Sequence, residues 1–484
     1  MFVSISLGLA TGIFALPAAA SLTDSRPVAL LVAACAAAVV IALLHRHPIV
    51  TLDEAGCTRP LVIVAGVATP LALVLLARMA VFMVDPSQVA YSSIPNSPWE
   101  VQHSCLSAYY VSAEAASTTP NIYDDSLFTL PDDDPNQPRR ARSIGSFKID
   151  VFEYPPPFLL LPRALRLLTP DFARLRMLWF GLSGAVILVG LVVVSRFMGP
   201  AAGTRALLLS PLVWMSVPML SVLQKGNVQA MVIAAAMLAM VLFERGRRAA
   251  GGAVLAFVTL AKLYPGLLIL YLLVRRQWRA LAWTATFAVL FLVLTLLDIG
   301  WGPYAAFIDR LPALLGGEVF PAFRNPMAMA INFSIPGLAF KAKLLGVPGM
   351  SFGAAKIVGW VYTLVAAAAT IVAGRRATGN DEKPLVWMAI LILATLRSPF
   401  LPQAYAAVPS LWMLTLLAAT RVPSARTLLT VLFAWAALNI YWPVDWPMHA
   451  RRLAVISGVP QALTVMLAVL ALRQRSNPQP SAPI

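Results

Sequence analysis

The sequence predicts an all-α polytopic membrane protein, a bundle of about 12–14 transmembrane or re-entrant helices with two large loops on one face. Three observations carry that expectation. Of 484 residues, 59% are hydrophobic and only 12% charged, with a mean hydropathy of +0.78, a balance that soluble globular domains do not have. Basic residues gather in short stretches between apolar runs, and two long polar segments, about residues 85–155 and 298–352, interrupt the series. The net charge of +16 therefore reads as topology and anionic-lipid contact, not nucleic-acid binding, because the arginines sit in short loops without interleaved aromatics.

Residues 1–20 are apolar but lack the basic start of a cleaved signal, so an uncleaved first span is expected. Spans at about 27–44 and 60–84 follow, completing an N-terminal unit of residues 1–84. Residues 85–173 form a first loop with interfacial helices. Its part around Asp132 to Arg142 reads as a linker, since it is polar and lacks an apolar run. The segment 174–297 holds spans at about 174–195, 204–222, 228–243 and 279–297, and one stretch, 249–274, that does not behave as a single span. Residues 298–353 are a second loop, 354–475 carry spans at about 354–373, 384–396, 404–419, 427–441 and 453–472, and 476–484 are a polar tail. Three cysteines are too few for a disulfide framework. No phosphate-cradling glycine loop and no His/Cys cluster with metal-ligand spacing is visible, so neither a metal nor a cofactor is expected.

The stretch 249–274 organises the rest. It is long enough to cross once, yet arginines flank both ends: Arg245, Arg247 and Arg248 before it, Arg275, Arg276 and Arg279 after it. Short arginine-rich loops stay on the cytoplasmic side, so the chain must turn back. Pro265 supplies the break, having no backbone donor and biasing its predecessor away from helix. The expected structure is a hairpin with Lys262 at its buried tip. An ionisable side chain at that depth is a functional candidate, against the plainer role of a lysine snorkelling to a headgroup.

Gln224, Gly226 and Asn227, then Gly251, Lys262 and Pro265, then Arg275, Arg276, Trp278 and Arg279 resemble the pattern of glycosyltransferase family 87. These are GT-C membrane enzymes that take a sugar from a polyprenyl-phosphate carrier. The resemblance implies that Lys262, with Arg397, Gln224 and Asn227, contacts the donor phosphate. It implies a catalytic carboxylate in the first loop, followed by a turn such as Asn121-Ile122-Tyr123 and a Tyr154-Pro155-Pro156 segment. No aspartate stands at the expected place. His103 or Glu100 is the leading candidate for the base, with Glu153 and Asp150 next and Glu114, Asp124 and Asp85 behind them. Tyr154, Asn332, Ser334, Gln403 and Tyr405 fall where the family contacts sugar or acceptor. The resemblance implies mannose or a related sugar as the group transferred, and the histidines that mannose-transferring members carry near their Ser-Pro pair are missing beside Ser398-Pro399, a departure that points away from mannose itself. The expected partners are membrane lipids, a polyprenyl-phosphate-linked sugar and a glycolipid or glycan acceptor. The expected site is the outer face of a bacterial plasma membrane. The rival reading is a transporter or lipid-linked-sugar flippase, for which an internal repeat would be expected and none is visible.

Overall fold

The computed structural model describes residues 2–47, 56–131, 140–376 and 379–474. Most of the expected linker (132–139), Arg475 and the tail 476–484 lie outside the described residues. Among the described residues, seven helices are long and apolar enough to cross a bilayer: Phe2–Leu22, Arg26–Arg46, Arg59–Val84, Phe172–Phe197, Trp278–Ile299, Phe352–Arg375 and Ala450–Arg473. The span expected at 204–222 is broken. Pro200–Trp214 and Val217–Lys225 meet at 67°, because Pro211 and Pro218 each lack the donor that would continue the ladder. Ser216 then starts the second piece by accepting from Met219 N.

Shorter apolar helices fill the remaining positions, and burial explains their shortness. Gln229–Glu244, Lys383–Thr395 and Gln403–Ala419 are buried on nearly every face, the signature of central helices. Trp278–Ile299 and Phe352–Arg375 instead expose residues such as Leu297 and Leu364, a face suited to lipid. The central helices end at a cavity, so they need not reach the far interface.

Contacts define the two ends of the bundle. At one end, Lys383 pairs with Glu244 at 2.6 Å, Arg275 donates to Arg376 O, and Arg376 donates to Leu472 O. At the other end lie the two loops. Arg248–Ala261 starts at the basic end and Leu267–Val274 returns to it, so the doubled-back hairpin is present. Its arms diverge, the first packing on Trp278–Ile299 and the second on Phe352–Arg375. Fourteen residues rise only about 21 Å, which leaves the tip below the far interface of a bilayer core about 30 Å thick.

The first loop is not purely helical. Between the helices Pro98–Gln102 and Cys105–Ala115, residues His103–Ser104 pair in parallel with Phe147–Ile149, which pairs antiparallel with Ser143–Ile144. Strands this short carry too few alternating residues to be read from sequence. The second loop folds into Gly302–Gly316, Pro326–Ala330 and Leu338–Leu344. Arg310 ties the loops together, donating to Tyr123 O at 3.0 Å and to Asp125 Oδ1 at 3.1 Å.

Candidate active site

The floor of the site is the hairpin tip. The first arm stops at Lys262, whose backbone is extended, and Tyr264–Gly266 makes a single tight turn before the return. The Lys262 amine donates to Gln229 Oε1 at 3.1 Å and lies 5.2 Å from the Tyr154 ring and 5.6 Å from the Tyr405 ring. It makes no ion pair among the described residues. A cation between two aromatic faces, held by one neutral acceptor, keeps two donors for an anion.

Gly226 sets the neighbouring turn. Its φ of +67° ends the Val217–Lys225 helix, and a Cβ there would meet Leu106 and Trp179, so glycine is required. Asn227 follows, accepting from Gln229 N at 2.9 Å and donating to Tyr154 OH at 3.4 Å. Tyr109 OH also donates to Tyr154 OH, at 2.9 Å. Asn227 and Tyr154 therefore brace the floor against the first loop.

That loop forms the roof. The small sheet places residue 150 beside residues 103–105, although 45 positions separate them. His103 Nε2 lies 3.6 Å from Asp150 Oδ2 and 3.6 Å from Cys105 Sγ, and the imidazole stacks on Trp99 at 4.5 Å. Burial holds the His103 pKa below its usual value, against the opposing pull of Asp150. The Asp150 carboxylate is 36% exposed, accepts from Val151 N, and faces the cavity. Glu153 lines the same space. Burial, then the charge of Asp150, pushes its carboxyl well above the ordinary glutamate range.

Arg397 forms a side wall. It donates through Nε to Thr363 Oγ1 at 2.6 Å, lies over the Trp360 ring at 5.6 Å and lines the cavity. Asn332 and Ser334 do not line that space. Asn332 is fully buried, donating to Pro399 O and accepting from Ser334 N and Leu401 N, while Ser334 donates to Pro399 O. They pin residues 398–402, which do line it. Gln403 is buried just behind that wall, and Tyr405 reaches in with its hydroxyl 3.0 Å from Cys105 Sγ.

Two sequence candidates have structural employment. Glu100 is 1% exposed. Its Oε1 takes Lys225 Nζ at 2.7 Å and Tyr441 OH at 2.7 Å, and its Oε2 takes Ser221 Oγ at 2.9 Å. A carboxylate whose oxygens are already engaged is badly placed to accept a proton from a substrate. Gln224 donates to Glu100 O at 2.8 Å and accepts from Ser93 N at 2.6 Å, so it staples the loop to the bundle and stands outside the cavity lining. Sequence reading also passed over Cys105, Trp99, Lys225 and Tyr441. Only Lys225 carried a signal, as a lysine at the end of an apolar helix.

These walls enclose about 670 Å³, within the range of small-molecule sites. Lys262 and Arg397 supply positive charge, the roof supplies Asp150 and Glu153, and Leu263, Leu267, Leu314 and Leu315 make an apolar side. Such a chamber suits an anionic headgroup on an apolar tail. The family model described as "Glycosyltransferase family 87" matches residues 152–399, just over half of the chain. That stretch holds Glu153, Tyr154, Lys262 and Arg397 but not His103, Asp150 or Tyr405. No curated protein and no solved structure matches the chain.

Proposed function

Because the chain belongs to glycosyltransferase family 87, we propose that it transfers mannose or a related sugar from a polyprenyl-phosphate carrier to a glycolipid or glycan acceptor on the extracytoplasmic face. The observation carrying this reading is Lys262: an amine without an ion-pair partner among the described residues, at the tip of a re-entrant hairpin, facing a chamber with one apolar side. The orientation follows from charge. Arg245, Arg247, Arg248, Arg275, Arg276, Arg375 and Arg376 sit at the end of the bundle opposite the chamber, and short loops of that composition face the cytoplasm.

In the proposed reaction the acceptor hydroxyl attacks the sugar carbon bonded to the phosphate oxygen. The carbon–phosphate-oxygen bond breaks as the new glycosidic bond forms, with inversion at that carbon. Lys262 and Arg397 take the charge developing on the departing phosphate, the class of interaction that usually contributes most. Asp150 accepts the hydroxyl proton. Its side chain is 36% exposed, it accepts from Val151 N, and it lies where the loop carboxylate of the family was sought near residue 103. His103 positions it from 3.6 Å. Glu153, kept protonated, donates to a sugar hydroxyl. Tyr154 and Tyr405 form the sugar's platform, while Asn332, Ser334 and Gln403 hold the opposite wall. No cofactor enters this scheme.

The test is purified protein in detergent supplied with polyprenyl-phosphoryl-sugar and an extract as acceptor source. Release of polyprenyl phosphate with labelled sugar in the acceptor is expected. Movement of the lipid-linked sugar across vesicles without its consumption would overturn the reading in favour of a flippase.

A further inference from the structure

His103, Cys105 and Asp150 offer three different donor atoms, all within 4.8 Å of one another. The 3.6 Å separations of His103 Nε2 from Cys105 Sγ and from Asp150 Oδ2 can be compared with a bound ion. Tetrahedral zinc with ordinary bond lengths places its nitrogen and sulfur ligands about 3.6 Å apart and its nitrogen and oxygen ligands about 3.4 Å apart. Two of the three donor separations therefore already stand close to edges of a coordination tetrahedron. The elements that hold them are fixed: His103 by its stack on Trp99 and by the strand pairing to residue 148, Cys105 by the first turn of a buried helix.

The surroundings fit as well. Tyr405 OH lies 3.0 Å from Cys105 Sγ and can donate to a thiolate, the outer-shell support that metal-bound sulfur commonly has. The fourth position would open into the chamber, the pattern of sites that keep one place for solvent or substrate. Burial pushes the Cys105 thiol up to about 12, so without an ion it stays protonated. A bound divalent ion reverses that preference.

We propose that His103, Cys105 and Asp150 form a site for a soft divalent transition-metal ion such as zinc, and that its occupancy switches the enzyme off. On binding, the Cys105 S–H bond breaks, sulfur keeps the electron pair and joins the metal, and the proton leaves to solvent. The Asp150 carboxylate becomes a ligand and loses its capacity to take the acceptor proton. The off-switch rests on the assignment of Asp150 as base; the site itself does not.

The experiment titrates cobalt(II) into the purified, chelator-stripped full chain and follows the thiolate-to-metal absorption. In parallel, transfer is measured across a zinc titration. One cobalt per chain is expected, with a sulfur charge-transfer band that Cys105→Ser removes and Cys57→Ser retains. The zinc concentration giving half-inhibition should rise by about tenfold or more in Cys105→Ser, each variant being scaled to its own metal-free rate. No sulfur band, or a band that survives Cys105→Ser, overturns the site. A Cys105-dependent band accompanied by zinc activation keeps the site but overturns both the off-switch and Asp150 as base.

Discussion

Glu100→Gln separates architecture from chemistry at the roof of the chamber. The substitution removes the charge that Lys225, itself 7% exposed, faces at 2.7 Å. Breaking one side of a buried ion pair costs about 3–5 kcal/mol, because an uncompensated charge stays behind. With an unfolding entropy of about 2.1 cal/mol/K per residue, a chain of 484 residues loses about 1 °C per kcal/mol. The melting temperature should fall by about 3–5 °C if the chain unfolds as one unit, and by more if the first loop opens alone. The assay is thermal unfolding in detergent, with transfer measured well below the transition. Replacing the pair together, Glu100→Leu with Lys225→Met, should regain most of the loss, since apolar groups of similar size substitute well for buried pairs. Unchanged melting of Glu100→Gln, with transfer reduced by about 10² or more, would refute the structural role and return Glu100 to the position of base.

Asp150→Asn should lower transfer by about 10²–10⁴-fold, the usual worth of a general base, with melting unchanged; full activity would move the search to Glu153. Glu153→Gln should raise stability relative to the unsubstituted chain as pH climbs. A carboxyl whose folded pKa is raised stabilises the fold below its unfolded pKa and loses that contribution as pH rises through the folded value. The melting difference should therefore grow as pH climbs above the ordinary glutamate range; a flat or shrinking difference contradicts the burial of that acid. Arg397→Lys should weaken phosphate contact more than its retained charge suggests, because lysine cannot reproduce the fork held by Thr363; the readout is KM for the lipid donor.

The membrane class and the re-entrant hairpin were legible because both follow from one-dimensional patterns: apolar run length, arginine flanks and a proline three residues after Lys262, the one charge in residues 249–274. The broken span after Pro200 was half legible, since Pro211 and Pro218 are plain in the sequence but their effect on a helix of that length is not. Which of the named candidates stand together was not legible. His103 and Asp150 meet through strands of two and three residues, and nothing in residues 103–150 announces that pairing. Glu100 stood out in the sequence because it lies three residues before His103 and would share a helix face with it, whereas the groups that engage its carboxylate, Lys225, Ser221 and Tyr441, lie far along the chain. Asn332 and Ser334 likewise resembled ligand contacts, whereas their hydrogen bonds run to the backbone of residues 399–401.

Binding of polyprenyl phosphate, without sugar, to the reconstituted chain and to Lys262→Met reads the phosphate grip directly. Loss of a charge-assisted contact worth about 1.5–3 kcal/mol predicts affinity reduced by about 10–150-fold, with melting unaltered. Equal binding by the two proteins would contradict the account, because the amine at the hairpin tip would then hold no headgroup.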